Sequence, residues 1–136
     1  MSEGLALSVV IATYNRAETI RETLRHLAEQ DVDKAGFEVI VVDDGSPDHT
    51  RAVVAELMPR TPFRLSYLRH DNRGPGYTQN RGLEVAKAPL VLLIADDILL
   101  ARHAVRAHLE VTLNFARLVE EFELPDDAEP APVFRA

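Results

Sequence analysis

The chain has 136 residues, of which 46% are hydrophobic and 27% are charged, so it is long enough for one soluble domain with its own core. It contains no cysteine, which excludes a disulfide framework, a thiolate metal site and a thiol nucleophile. The formal net charge of -7 is unfavourable for a broad electrostatic grip on nucleic acid or anionic lipid, so any anionic ligand must be bound at a local site.

The N-terminal part predicts a strand followed by a helix. Its apolar run is too short to span a bilayer and lacks the basic flank of a signal peptide, so we expect a cytoplasmic protein, with recruitment to a membrane surface left open. Residues 5–13, LALSVVIAT, predict a strand that is buried on both faces. Asn15 is the predicted N-cap of the helix, with Glu18 three residues later, and the helix should end near Gln30.

A second strand and helix are predicted to follow in the same arrangement. The strand runs from Phe37 to Val42 and ends in a turn at Asp44 and Gly45. Ser46 is then the predicted N-cap, and Pro47 the first helical position, of the second helix.

The middle of the chain completes the predicted sheet. Residues 63–70, FRLSYLRH, alternate between apolar and polar side chains, which predicts an exposed, edge-like third strand. The loop DNRGPGYT leads into a short helix, and PLVLLIADD predicts a fourth, buried strand. Strands that alternate with helical segments imply crossover connections, so the predicted fold is an α/β, Rossmann-like sandwich with a mainly parallel sheet.

The last predicted helix, from about residue 101 to 122, carries two apolar stripes on nearly opposite faces at about 100° per residue. A single sheet can cover only one of them. Either the helix breaks into two pieces and folds back, or the second stripe packs against a missing domain or a partner chain, as in a homo-oligomer. The final stretch, ELPDDAEPAPVFRA, is rich in proline, alanine and acid. We therefore assign residues 1–124 to one domain and residues 125–136 to a C-terminal tail.

Polar side chains gather where the buried strands end. They are Thr13, Tyr14, Asn15 and Arg16 after the first strand, Asp43 and Asp44 after the second, and Asp96 and Asp97 after the fourth. Ligands of parallel α/β sheets bind outside the carboxyl edge, at the point where the strand order reverses. These side chains are therefore predicted to surround one site.

The adjacent aspartates at the end of the fourth strand predict a cation. Two neighbouring carboxylates repel each other, and burial makes both ionised forms unfavourable without a positive charge. Mg²⁺ or Mn²⁺ prefers carboxylate oxygen and takes further ligands from water and substrate phosphates, so Asp96 and Asp97 predict a metal-bridged diphosphate. Alternatively, Asp96 caps the next helix while Asp97 lies at its N-terminal dipole. Asp43 and Asp44 could likewise form an ordinary Asp-Gly turn.

Three other chemistries lack their motifs. Gly74 and Gly76 are not followed by the third glycine of GxGxxG, GxxxxGK[ST] is absent, and no serine lies in GxSxG. These absences disfavour dinucleotide binding, P-loop hydrolysis and α/β-hydrolase chemistry. Arg16, Arg73 and Arg81 each lie near a loop-to-helix junction and are the predicted anion partners.

Four ordered stretches between residue 7 and about residue 110 resemble the nucleotide-sugar-binding half of the family-2 glycosyltransferases, which have a GT-A fold. They are LSVVIATYNRAETIRETLRHLAEQ, FEVIVVDDGSPDHT, NRGPGYTQNRGLEVA and LVLLIADDILL. The resemblance implies a GT-A three-layer α/β/α sandwich, truncated relative to full-length members. It further implies transfer of a sugar from a nucleoside-diphosphate donor, of the UDP type, to an acceptor hydroxyl with inversion; the acceptor, a glycan, lipid or protein, stays open.

The same resemblance assigns roles to residues. It implies that the nucleotide sugar is bound by Thr13, Tyr14, Arg16, Asp43 or Asp44, Gly74, Asn80 and Asp96. Asp96 and Asp97, in a DxD-type motif, would hold Mg²⁺ or Mn²⁺, which stabilises charge on the departing diphosphate. No catalytic base is identified. One alternative is a non-catalytic nucleotide-sugar-binding or partner module, and another is a nucleotidyltransferase, although the basic, glycine-rich phosphate loop of that class is absent.

Overall fold

The structure, a computed structural model, describes residues 4–121 and 133–135. Its strands are β1 (Leu7–Thr13), β2 (Phe37–Asp43), β3 (Arg64–Arg69), β4 (Val91–Ala95) and β5 (Val133–Arg135). Its α-helices are α1 (Ala17–Ala28), α2 (Thr50–Leu57), α3 (Pro75–Val85) and α4 (Ala104–Glu121). Two short 3₁₀ turns, Lys34–Gly36 and Met58–Arg60, precede β2 and follow α2.

The strands form one parallel sheet in the order β3-β2-β1-β4-β5. This confirms the predicted α/β fold, and β3 lies at an edge as its alternating pattern indicated. Strand β1 pairs with β2 on one side and with β4 on the other, so the chain changes direction across the sheet at β1. The carboxyl ends of β1 and β4 therefore form the place where an α/β sheet binds ligands.

Helices cover both faces of the sheet. The apolar stripe of α1 enters the larger core through Ile20, Leu24 and Leu27. On the other face, α3 lies against β1 and β2 at a glycine: a Cβ atom at Gly82 would lie 2.3 Å from Val10 Cγ1 and 3.2 Å from Val42 Cγ2. Helix α3, which forms one wall of the site described below, is thus held directly on the strands.

Helices α1 and α2 begin later than predicted, and one residue, Asp48, accepts the first N–H of both. Asn15 is not the N-cap; it has φ 56°, and its N–H donates to Ser46 Oγ at 2.7 Å. Ser46 and Pro47 lie before α2, which begins at Thr50. Asp48 supplies both caps, since Oδ2 accepts the first N–H of α1 at 3.1 Å and Oδ1 accepts the first N–H of α2 at 3.0 Å.

Helix α4 is one continuous helix of 18 residues, so the predicted break is wrong. The segment contains neither glycine nor proline, the residues that interrupt helices most readily. The buried amide of Gln30 joins its start to α1: Oε1 accepts the Val105 N–H at 3.0 Å, and Nε2 donates to the Ala101 carbonyl at 2.7 Å. Neither α4 nor another helix of the described residues has the length and apolar composition needed to cross a bilayer.

The predicted second stripe of α4 and the predicted tail are described only in part. Val111, which belongs to that stripe, is 59% exposed; the side chains of its other members lie outside the described part of the chain. Within the predicted tail, Val133–Arg135 form β5 and pair with β4. The boundary at residue 124 also lies outside the described residues and stays a prediction.

Candidate functional site

A cavity of about 420 Å³ opens at the carboxyl ends of β1 and β4. The residues predicted from the sequence that line it are Thr13, Tyr14, Arg16, Asp44, Asp96 and Asp97. Pro75 and Thr78, from the start of α3, also line the cavity, although neither was predicted as a site residue. The predicted convergence of the strand ends at one site is therefore present in the structure.

Asp96 is the buried member of the aspartate pair, with 8% of its surface exposed. Its Oδ2 accepts a hydrogen bond from the Thr13 hydroxyl at 2.8 Å, and its carbonyl accepts one from the Thr23 hydroxyl at 2.6 Å. These bonds satisfy a polar residue that directly follows an apolar strand. The alternative in which the pair caps the next helix is wrong, because α4 does not begin until Ala104.

Arg16 joins the two aspartates. Its Nη1 lies 3.1 Å from Asp96 Oδ1 and 3.4 Å from Asp97 Oδ2. The side chains of Arg16 and Asp97 are 51% and 57% exposed, whereas that of Asp96 is 10% exposed. The adjacent aspartates predicted a metal as the neutralising charge; in the structure Arg16 provides a cation for both carboxylates.

Asp44 organises the loop between β3 and α3. Its Oδ1 accepts the Arg73 N–H at 2.7 Å, and its Oδ2 accepts the Gly74 N–H at 3.1 Å. Burial raises the pKa of the Asp44 carboxyl, but these two N–H groups and the side chains of Thr78 and His70 lower it by more, so the pKa lies below its ordinary value. Asp44 is therefore ionised and lines the cavity, so it does more than form the Asp-Gly turn.

His70 supports Asp44 and was missed in the sequence. Arg81 Nη1 donates to His70 Nδ1 at 2.9 Å, and because a guanidinium can only donate, Nδ1 carries no proton. The ring proton is thus on Nε2, which lies 3.0 Å from Asp44 Oδ1 and donates to it. Asn72 Nδ2 donates to the other carboxylate oxygen at 3.0 Å. Both residues belong to the polar stretch RHDNRG after the edge strand, which was the available signal.

Asp43 lies beneath the cavity and does not line it. Its carboxylate is fully buried; Oδ1 accepts the N–H of Ser46 at 2.9 Å and the hydroxyl of Ser46 at 2.6 Å. Oδ2 accepts the Tyr67 hydroxyl and, at 3.1 Å, Arg69 Nη1. Burial and, to a smaller extent, the hydrogen bond to Asp43 raise the pKa of the Tyr67 hydroxyl to about 12. Of the two candidates left open in the sequence, Asp44 is the one that the cavity presents to a ligand.

Gly74 and Asn80, the other two residues predicted to bind the nucleotide sugar, lie before and after Thr78 in the sequence. Gly74 precedes α3 with φ 92°, a conformation that favours glycine, and contributes its N–H to Asp44. Asn80 lines a separate, smaller cavity with Tyr77, Arg81 and Glu84, so the structure does not bring it to the site. The reason is helical phase: Thr78 faces inward and is fully buried, and a residue two positions later points away from that face.

The aspartate pair fits a divalent metal only when a ligand completes the coordination. Among the described residues, no three His, Cys, Asp or Glu side chains lie together so that they could hold a metal. Asp97 is exposed and Asp96 lies beside it in the same cavity. Mg²⁺ is commonly held by one or two carboxylates, with water and substrate phosphates as the remaining ligands. The donor set therefore fits a metal that arrives with phosphate oxygens.

Comparison of the sequence with protein families gives two matches. Residues 8–114 match the family described as "Glycosyl transferase family 2". A shorter C-terminal segment, residues 100–134, matches "1-carboxybiuret hydrolase subunit AtzG-like". The first match covers the whole candidate site.

Curated relatives include two transferases. The poly(ribitol-phosphate) beta-N-acetylglucosaminyltransferase TarS of Staphylococcus aureus is 38% identical over 93 residues, which are 68% of this chain and 16% of that protein. The validoxylamine A glucosyltransferase of Streptomyces hygroscopicus subsp. jinggangensis is 39% identical over 119 residues, covering 79% of this chain and 28% of the relative. The chain thus spans less than a third of the length of either relative.

Solved structures of similar fold contain nucleotides. The crystal structure of S. aureus TarS 1-349 in complex with UDP has a TM-score of 0.70 and 30% identity, covering 88% of this chain and 33% of that one. The mannosyltransferase PcManGT of Pyrobaculum calidifontis, in complex with GDP-Man and Mn²⁺, has a TM-score of 0.65 and 34% identity, covering 71% and 29%. At these levels of identity, the likeness extends to sequence as well as to fold.

Proposed function

Because the chain belongs to glycosyl transferase family 2, we propose that its cavity binds a nucleoside-diphosphate sugar of the UDP type, as donor for transfer to an acceptor hydroxyl with inversion. One observation carries this proposal: Thr13, Asp44 and the pair Asp96 and Asp97 converge on a single cavity at the reversal point of the sheet. The similar structures that hold UDP and UDP-GlcNAc support the choice of base.

Two groups of lining residues differ in chemistry, and we assign them to different parts of the donor. Tyr14 and Pro75 contribute apolar surface to the cavity, and the Gly74 N–H that precedes Pro75 is bonded to Asp44; this combination suits a base and ribose. Arg16, Asp96 and Asp97 form the charged group, which suits a diphosphate. The sequence predicts Arg16 as an anion partner, and its contacts with the two aspartates favour the diphosphate part of the donor.

The described residues bind and orient the donor. Asp96 and Asp97 would hold Mg²⁺ or Mn²⁺, which supplies Lewis-acid stabilisation of the charge on the leaving diphosphate. Arg16 can donate hydrogen bonds to phosphate oxygens, and Thr13 keeps Asp96 in place. Donor positioning and charge stabilisation, without a covalent intermediate, are the catalytic contributions assigned to this part of the chain.

A second candidate function, a non-catalytic nucleotide-sugar-binding module, is favoured by the state of the carboxylates. Inverting transfer requires a base for the acceptor hydroxyl. Asp44 and Asp96 accept several hydrogen bonds, and Asp97 is paired with Arg16. No other carboxylate lines the cavity within the described residues, so none is free to act as that base. The nucleotidyltransferase alternative has no support from the family comparison.

Calorimetry with UDP and Mn²⁺ tests the donor site. We expect metal-dependent UDP binding, weakened at least about tenfold in Asp97→Asn, because that change removes a charge at the diphosphate end. Asp31→Asn is the matched control, since Asp31 is also exposed and also paired with an arginine, Arg106, but lies outside the cavity. Absence of UDP binding at millimolar concentration would reject the proposal. Turnover of UDP-GlcNAc would then separate the enzyme from the module.

A further inference from the structure

Arg16 is the single basic side chain among the described residues that line the cavity. Three carboxylates line the same cavity, and Arg16 contacts two of them, those of Asp96 and Asp97. Its Nη1 contacts Oδ1 of Asp96 and Oδ2 of Asp97 at 3.1 and 3.4 Å. The same guanidinium nitrogen thus occupies the side of the pair at which a metal ion would need both carboxylates.

We propose that Arg16 is a resident counter-cation that makes metal binding depend on the donor diphosphate. This rests on the proposed donor site. A metal that uses Asp96 Oδ1 and Asp97 Oδ2 must displace Arg16 from both oxygens, and it meets a positive charge as it approaches. A diphosphate gives the displaced guanidinium a new acceptor, because guanidinium groups bind phosphate oxygens in a bidentate manner.

Charge balance favours joint entry of metal and diphosphate. The two aspartates and Arg16 together carry one net negative charge. A sugar diphosphate brings two negative charges and the metal two positive ones, so together they leave the charge of these three side chains unchanged. The metal alone would reverse the charge of this group, and the diphosphate alone would triple it; both are unfavourable where Asp96 is buried. Arg16 is half exposed, so it has room to change partners.

The test measures Mn²⁺ binding in the absence of nucleotide, by the loss of the free-ion signal in electron paramagnetic resonance. Wild type should bind Mn²⁺ weakly, and Arg16→Met, which keeps the length of the side chain and removes its charge, should bind it at least about tenfold more tightly. Arg16→Lys should behave like wild type. Adding Asp97→Asn to Arg16→Met should abolish the gain, which assigns the new binding to the pair.

Two results would overturn the inference. One is equal Mn²⁺ affinity in wild type and Arg16→Met, with unchanged circular dichroism and melting temperature to show that the variant is folded. The other is a gain in Arg16→Lys as large as that in Arg16→Met, which would mean that charge is not the cause. Titration of wild type with UDP and Mn²⁺ together reports on the donor site independently. If it shows no joint binding while the gain in Arg16→Met is present, the donor proposal and the dependence on diphosphate are both rejected, and only the role of Arg16 as the cation of the aspartate pair is retained.

Discussion

Replacing Gly82 with alanine should destabilise the fold, although alanine is the better helix former. An added Cβ would lie 2.3 Å from Val10 Cγ1, well inside van der Waals contact, and 3.2 Å from Val42 Cγ2. Both valines lie in central strands, so neither side chain can yield without moving α3 or the sheet. Overpacking of this kind costs about 1–3 kcal/mol, against a helix-propensity gain of about 1 kcal/mol. An approach as close as 2.3 Å places the cost in the upper half of that range, at about 2–3 kcal/mol, so we expect a net loss of about 1–2 kcal/mol.

The same helix offers a matched control. Gly76 lies in the first turn of α3, and a Cβ there meets no atom within 4 Å, so Gly76→Ala should leave stability unchanged or raise it by up to about 1 kcal/mol. Urea unfolding followed by circular dichroism measures both variants. Gly82→Ala should lower the urea midpoint by roughly 0.5–1 M. A Gly82→Ala protein as stable as Gly76→Ala would refute the close contact between α3 and the strands.

Two further predictions concern ionised groups. Burial raises the pKa of Asp48, but its bonds from Thr50 and from the first N–H of α1 lower it by more, so the stability that it contributes should be present above the ordinary aspartate pKa and lost as pH falls through the lower folded value. The deficit of Asp48→Asn in urea unfolding should accordingly shrink from pH 7 to pH 3; a deficit independent of pH would contradict this. Tyr67→Phe should cost about 1–3 kcal/mol, because a buried carboxylate loses a donor. In an absorbance titration, the one tyrosine of wild type with a pKa of about 12 should be missing from Tyr67→Phe; an unchanged profile would refute the assignment.

Patterns within single segments predicted most of the fold. Buried apolar runs marked β1, β2 and β4, alternation marked β3 as an edge strand, and strand-helix alternation implied a parallel sheet; the structure confirms all three. The predicted N-cap of α1 was wrong because capping preferences describe only neighbours in sequence, whereas Asp48 is 31 residues from Ala17. The predicted N-cap of α2 was wrong although Asp48 lies only two residues before Thr50. Asn15 and Ser46 are favourable caps locally, but they bond to each other across 31 residues, and Asp48 caps both helices instead.

The candidate site was likewise predicted in part, its position correctly and some of its contacts not. Its position followed from topology, since the residues at the ends of parallel strands must meet at one edge. The partner of the aspartate pair could not be read from spacing, because Arg16 and Asp96 are 80 residues apart and either could have faced solvent. Asn80 was predicted from its motif, but the phase of α3 that turns Thr78 inward turns Asn80 away from the cavity, so its role stays a prediction.

The three aspartates of the stretch DDGSPDHT have different structural roles. Asp44 alone reaches the cavity; Asp43 anchors the floor, and Asp48 sets where α1 begins and thereby where Arg16 stands. Most of this stretch does not line the cavity but positions the elements that do. Loss of Asp44 would remove a carboxylate that lines the cavity and also the acceptor that holds the loop before α3, whereas loss of Asp48 would free the first N–H groups of α1 and α2. Two aspartates four positions apart thus fix different walls of the site: Asp44 fixes the start of α3, and Asp48 fixes the start of α1.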